Sequence, residues 1–454
     1  MKTSPRLEPQ APLPRSEINA VAGGVDPGSS AEVVHARAGV TATGYSFVRL
    51  FAAPKTCPAN ERHLRRPGWA ELFFDLVFAA AIAQLSTPLD HDYSLHGIAR
   101  FTFLLALVFL AWFGYTAFST QFGVDDVLER VLIVAQVFLV AVMAANATDA
   151  LSSRDAAGFG AAYGGVRAIL AVQYARVLRS PNAEPFVRRR IVGLLVSAVL
   201  WTVSALFPMP ERYIGWMLAL LLDVGNSWPA SRTTTTSPPG ATHFPERFGL
   251  LTIILLGEFV ASVMRGIESQ MGWSFLAASA AVLSLGLGFA IWSCYSDGAM
   301  GWETRHVRSY RDVVRLRGWI ALHFALFLGI AILGIGARRA IALPPGGHFG
   351  LEDQWLICSA TAGMILVMMG IAATSERHAH SKRRWIWLSQ AGIALFALAL
   401  APLNSLVIAT ALLLFLLLCF ITQTGVLVAN RRLSAGRGES SWPRSTPPAT
   451  TRRS

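Results

Sequence analysis

Residues 68–88 read GWAELFFDLVFAAAIAQLSTP, an apolar run broken by two acids, Glu71 and Asp75, set four residues apart. That spacing puts both carboxylates on one face of a helix, and Ser86 returns to the same face further in. A run of about 20 such residues is long enough to cross a hydrocarbon core of roughly 30 Å. Comparable runs recur near 98–118, 128–148, 157–178, 191–208, 212–228, 246–265, 273–295, 318–337, 354–374, 385–402 and 405–429, separated by short polar breaks. The expectation is an all-α polytopic transmembrane helix bundle of about twelve spans.

Composition agrees. Of 454 residues, 53% are hydrophobic and only 15% charged, with a mean hydropathy of +0.47, whereas soluble domains carry about 25% charged residues. An ordinary cytosolic enzyme is excluded. The net charge of +12 does not point to nucleic acid, because the basic residues lie in loops and tails, not on a folded basic surface with interleaved stacking aromatics. Cys57, Cys294, Cys358 and Cys419 contain no CxxC pair, and three lie inside apolar runs, so neither a disulfide framework nor a zinc site is expected. No cofactor or metal is expected.

Residues 1–60 and 431–454, rich in Ala, Pro, Ser, Thr, Gly and Arg without helical periodicity, are expected to be disordered cytosolic tails, and no signal-peptide apolar core is evident in the first. Between them lie a first six-helix half at 61–228, a polar linker at 229–242 and a second six-helix half at 243–430. Arg62, Arg65 and Arg66 precede the first span. Arg179 and Arg188 to Arg190 follow the fourth, Arg305 to Arg317 the eighth, and Arg377 and Lys382 to Arg384 the tenth. Twelve spans put all of these on one side, and cytoplasmic loops retain positive charge, so both termini are expected in the cytoplasm. The segment 303–317 interleaves Val and Tyr with arginine, and two readings stand: a plain topological anchor, or an interfacial helix that meets lipid headgroups.

An internal repeat can be read between the halves. Ala70-Glu-Leu-Phe-Phe-Asp75 answers Pro245-Glu-Arg-Phe-Gly-Leu250, and Trp112-Phe-Gly-Tyr115 answers Trp292-Ser-Cys-Tyr295. Six spans per half would relate the repeats by an axis along the membrane normal, as in transporters that rock about a midplane site; chance similarity between apolar stretches is the competing explanation.

An ionisable side chain at the bilayer centre costs roughly 2.5–3.5 kcal/mol on insertion scales, so depth ranks the candidates. Asp75 is deeper than Glu71, which an N-terminal helix dipole alone would favour. The seventh span opens with His243, Glu246 and Arg247 and reaches Gly257-Glu258. Arg247 and Glu258 share a face but are roughly 16 Å apart, so Glu258 needs another partner; it is the expected proton or cation coupling group, with a neutral or paired packing role as the alternative. Arg167 and Asp223 lie mid-span and are counter-ion candidates for each other or for Glu258, with helix bracing and substrate anchoring both open for Arg167. Asp126 and Arg130, four apart, suit a surface pair. His323 is either a proton shuttle or a hydrogen-bonded packing residue. Gly160 and Gly164 form a GxxxG step, and Gly329, Gly334 and Gly336 line the ninth helix, where close packing is expected.

At Glu71-Leu-Phe-Phe-Asp-Leu-Val-Phe78, and again from His243-Phe-Pro-Glu-Arg-Phe-Gly through Leu256-Gly-Glu258, the chain closely resembles the bacterial low temperature requirement protein A family. Asp125-Asp126 with Arg130, Tyr163 to Arg167, Leu218 to Asp223, Tyr295 to Asp297, and His323 with Gly329 extend the likeness over roughly residues 65–430. The resemblance implies a multi-pass inner-membrane protein associated with growth at low temperature, without a defined substrate. Two positions depart from the family pattern: Val224 follows Asp223 where an aromatic is usual, and Ser296 precedes Asp297 where Phe is expected.

No P-loop, dinucleotide fingerprint, GxSxG or HExxH occurs, so neither an ATP-driven pump nor another soluble catalytic constellation is indicated. The leading expectation is a proton- or cation-coupled secondary transporter of an unidentified small solute, not an enzyme. Asp75, Glu258 and Arg167, supported by Asp223, would line a polar midplane site between the halves, with Glu71, Glu246, Arg247 and His323 as further binding candidates. The alternative is a non-transporting sensor or scaffold for low-temperature growth, with membrane lipids as its partners; an intramembrane enzyme acting on a lipid is a third reading.

Overall fold

The computed structural model describes residues 68–374 apart from 91, 125, 148–149, 152–156, 180–185, 209, 228–240, 271–273, 300–304 and 345–349. Among the described residues there are ten α-helices and no strands: α1 Trp69–Leu89, α2 Leu95–Phe122, α3 Val127–Ala145, α4 Ala157–Val177, α5 Phe186–Ser204, α6 Glu211–Ser227, α7 His243–Glu268, α8 Phe275–Ser293, α9 Tyr310–Ala342 and α10 Leu351–Ala373. Each of the first ten expected spans is therefore a helix. Seven of them (α1, α2, α3, α7, α8, α9 and α10) are long and apolar enough to cross a membrane. The expected spans 385–402 and 405–429, both expected tails and most of the linker lie outside the described residues.

Local sequence sets the helix ends. The Ser94 hydroxyl accepts from the Gly97 amide at 3.2 Å to start α2, and Gly123, at φ 61°, closes it in a left-handed conformation that a Cβ would oppose. The Asp126 carboxylate caps α3 through the Glu129 amide at 2.8 Å. α8 runs into a π-helical turn, Cys294–Ala299.

The largest departure from expectation is α9. Arginines 311, 315 and 317 were expected in a loop before a span starting near residue 318, yet the helix starts at Tyr310. Ser309 and Asp312 form a reciprocal capping box that begins the helix two turns early.

α2 is the most deeply buried of the seven long helices, packing against α1, α4, α6, α7 and α9. α1 packs on α2 and α3, and α3 on α4; in the same order α7 packs on α8 and α9, and α9 on α10. The α4 GxxxG face lies close against its neighbours as expected. A Cβ on Gly164 would come within 2.5 Å of Thr202 Oγ1 and 2.9 Å of the Ala198 carbonyl, and one on Gly160 within 3.2 Å of the Trp216 ring.

Candidate functional site

Two charged centres, each fully buried, flank α2. The first closes the seam where α1 meets α7. Arg247 donates from Nη2 to Asp75 Oδ1 and from Nε to Oδ2 at 3.4 Å, a two-pronged pairing that matches guanidinium to carboxylate. The Trp112 indole donates to the same Asp75 oxygen at 2.6 Å. Arg247 Nη1 donates to Ser119 Oγ at 2.9 Å, and the guanidinium lies 5.5 Å from the Tyr115 ring centre. Asp75 and Arg247 are both 0% exposed. Local sequence explains the convergence: Trp112, Tyr115 and Ser119 share one face of α2, while Asp75 lies one turn beyond Glu71 on α1.

One turn nearer the helix starts, His243 Nε2 is 3.1 Å from Glu71 Oε2. Both side chains are buried, and the other ring nitrogen, Nδ1, has no hydrogen-bond partner among the described residues. Thr116 Oγ1 on α2 is likewise buried and unpartnered. The seam thus holds a completed ion pair beside an imidazole–carboxylate pair with one open valence.

The second centre joins α4 and α6 to the other side of α2. Arg167 of α4 pairs with Asp223 of α6 at 3.2 Å and donates to the Leu110 carbonyl of α2 at 3.3 Å and to the Tyr163 hydroxyl. Asp223 also accepts from Ser197 Oγ at 2.6 Å and Trp201 Nε1 at 3.1 Å. The guanidinium occupies the space beside Gly114, where a Cβ would come within 3.0 Å of Nη1. Leu110 and Gly114 are about 150° around α2 from Trp112, Tyr115 and Ser119 at 3.6 residues per turn, so the helix stands between the two centres. Each centre combines an arginine, an aspartate, an indole donor, a serine and a tyrosine.

A third polar cluster joins α3 to α4. Arg176 pairs with Glu129 at 3.0 Å and with Asp126 at 2.5 Å, Gln173 donates to Glu129 at 2.7 Å, and Gln136 donates to Gln173 at 3.1 Å. Asp126 therefore reaches Arg176 across the helix pair, where the sequence suggested Arg130 on the same helix.

The structure does not gather all the expected site residues. Asp75 meets Arg247, and Arg167 meets Asp223, but on opposite faces of α2 and not in one site between the halves. Glu258 joins neither: it pairs with Arg265 at 2.5 Å, and both side chains are partly exposed. A Cβ on Gly257, beside it, would have nothing within 4 Å. The stripe that Glu258 shares with Arg247 is covered at Arg247 and half-open at Glu258, while Arg265, two turns on, is in reach on the same face. Glu246 is half-buried in the first turn of α7 and makes no ion pair among the described residues. His323 is fully buried, with Nδ1 2.8 Å from the Trp319 carbonyl and Nε2 3.1 Å from the Tyr295 hydroxyl, so both ring nitrogens are occupied. The side chain of Asp297 lies outside the described residues.

The residues that complete the centres were the harder ones to read. Trp201, Ser119 and Ser197 look like ordinary span composition, Trp112 stands out only in the repeat match with Trp292, and His243 only as the start of the seventh span. The i, i+7 pair Glu129 and Gln136, facing the i, i+3 pair Gln173 and Arg176, is the one periodic signal that would have found the third cluster.

Seven membrane-length helices around buried arginine–aspartate pairs define a polytopic helical membrane protein. The chain belongs to the family of the bacterial low temperature requirement A protein (LtrA), whose description matches residues 66–422. It is also similar to an uncharacterised protein, RA0937, of Rhizobium meliloti (strain 1021), at 26% identity over 208 residues, 44% of this chain and 50% of the relative. The chain spans about half the length of that curated relative.

Proposed function

We propose that the protein is a proton- or cation-coupled secondary transporter of a small solute in a bacterial inner membrane, serving growth at low temperature. In this reading it has about twelve spans in two six-helix halves and both termini in the cytoplasm. The observation that carries the reading is the α1–α7 seam, the place where a fully buried ion pair ties the first helix of one half to the first helix of the other. The shared packing order of α1–α4 and α7–α10 supports the two-half arrangement, and repeats of that kind move against each other about a fixed site.

The seam supplies a coupling element where Glu258 does not. A buried pair contributes little net stability against an apolar replacement, so its retention across two moving parts fits a switch. Protonating Asp75 removes the charge that holds Arg247 and releases α1 from α7. The adjacent Glu71–His243 contact lies one turn away, and His243 Nδ1, without a partner among the described residues, offers a further polar contact point beside the seam. Solute carrying a carboxylate would compete for Arg247 and open the same seam.

The test is reconstitution into liposomes containing a pH-sensitive dye, with an imposed pH gradient and a panel of amino acids, organic acids and sugars. Solute-evoked proton entry that Asp75→Asn abolishes and Glu258→Gln leaves intact is the expected result. Absence of evoked proton movement across the panel, or identical behaviour of Asp75→Asn, overturns the reading. A second reading, a non-transporting sensor or scaffold, is favoured by the Arg167–Asp223 centre, whose charged groups all have partners. It predicts that removing residues 1–60 abolishes cold growth while Asp75→Asn does not.

A further inference from the structure

The two ends of α9 treat their arginines differently. At 33 residues the helix is about 50 Å long, well beyond a hydrocarbon core of roughly 30 Å. The stretch 318–337, between Arg317 and Arg338, is itself about 30 Å long at 1.5 Å per residue, so the turns that precede it project to the headgroup level of one leaflet.

At the far end the arginines are consumed by the protein. Arg338 pairs with Asp90, and Arg339 pairs with Asp353 at 3.1 Å while lying 4.2 Å from the Tyr93 ring centre. At the near end, Arg308, Arg311 and Arg315 are exposed. Arg308 and Arg311 have no side-chain ion pair among the described residues, and Arg315 reaches Asp312 only at 3.9 Å. Asp312 is already engaged by the amides of Arg308 at 3.1 Å and Ser309 at 2.8 Å and by the Ser309 hydroxyl at 2.8 Å.

The same surface carries apolar groups. Tyr310 is 63% and Val314 48% exposed, and with Arg311 and Arg315 they fall on one face at i, i+1, i+4 and i+5. A Cβ on Gly318, the next position on that face, would meet nothing within 4 Å. The opposite face is fixed: Val313 and Leu316 are buried, and Arg305 just before the helix donates to the Thr374 carbonyl at 3.1 Å. The face is therefore rigidly held, cationic, partly apolar and placed at the depth of lipid phosphates.

We propose that this face of α9, together with Arg308 just before the helix, is a binding site for anionic phospholipid headgroups, with Arg308, Arg311 and Arg315 taking the phosphate and Tyr310 and Val314 entering the acyl boundary. The inference is independent of transport. It is tested with full-length protein in phosphatidylcholine vesicles containing a minor fraction of phosphatidylglycerol, comparing protein-immobilised spin-labelled phosphatidylglycerol with labelled phosphatidylcholine. Wild-type protein should enrich the anionic lipid. Arg308→Gln/Arg311→Gln/Arg315→Gln should lower that enrichment by up to about fivefold per arginine, the surface value for one basic residue. Arg188→Gln/Arg189→Gln, which removes exposed charge from the start of α5, should leave it largely unchanged. Equal enrichment in wild type and triple variant, or an equal loss in the α5 control, overturns the site. So does displacement of the labelled lipid by soluble glycerol phosphate, which would assign the arginines to a free anion.

Discussion

Replacing Asp75 by Asn removes one charge from the seam while nearly preserving its shape. Asp75 accepts from Trp112 at 2.6 Å and from Arg247 through two nitrogens, and no water-exposed surface is left on either ionic partner. The amide would turn its NH2 toward a donor whichever way it flips, and Arg247 would remain as an uncompensated buried cation. Breaking a buried pair in this way costs about 3–5 kcal/mol. The Asp75→Asn/Arg247→Met double variant removes that cation and leaves the Asn carbonyl free to accept from Trp112, so its loss should be smaller than that of Asp75→Asn alone by about 2 kcal/mol or more. Denaturant titration in mixed micelles, followed by tryptophan fluorescence, measures all four corners of the cycle. A double variant whose loss equals the sum of the single losses to within about 0.5 kcal/mol would show that the two charges do not act as a pair, and the switch argued for the seam would fall with it.

Trp112→Phe keeps the ring contact with Phe248, 4.8 Å between centres, but removes the donor to Asp75, and should cost about 1–3 kcal/mol in the same titration. Asp223→Asn strands Arg167 in the second centre, so its loss should match that of Asp75→Asn, about 3–5 kcal/mol, and add to it within about 0.5 kcal/mol because α2 separates the centres. Glu258→Gln, in a partly exposed pair, should shift unfolding by no more than about 1 kcal/mol. Gly164→Ala drives a Cβ against the Ala198 carbonyl and Thr202 and should destabilise by about 1–3 kcal/mol through overpacking, read as a lower melting temperature in detergent.

The membrane helices were legible because hydropathy and length follow directly from the energetics of the bilayer. The pairing of Arg167 with Asp223 was legible for a related reason: two opposite charges at mid-span have few other ways to be tolerated. The partner of Asp75 was harder to find, because Arg247 lies 172 positions away on a helix that also offers Glu246, Glu258 and His243. Helical periodicity states which residues share a face, not which helix covers that face or how far along. That is why Glu258 looked as well placed as Arg247 and is not: their shared stripe is covered near the start of α7 and half-open eleven residues later. The start of α9 was missed for a local reason, since a capping box written in Ser309 and Asp312 extends a helix through arginines that hydropathy assigns to a loop.

The twin centres around α2 differ in which helices they join. Each has an aspartate receiving an arginine, an indole and, in the second centre, a serine directly; in the first, the serine is held by the arginine instead. The second centre connects α2, α4, α5 and α6, and its arginine donates to a backbone carbonyl as well as to a carboxylate, as Arg247 does to the Glu71 carbonyl at 3.5 Å. The first centre instead bridges α1 and α2 to α7, and one turn nearer the start of α7 His243 Nδ1 has no hydrogen-bond partner among the described residues. Chemistry so similar on the two sides of one helix therefore divides by connectivity: the Arg167 centre ties α2, α4, α5 and α6 together, and the Arg247 centre ties α1 and α2 to α7.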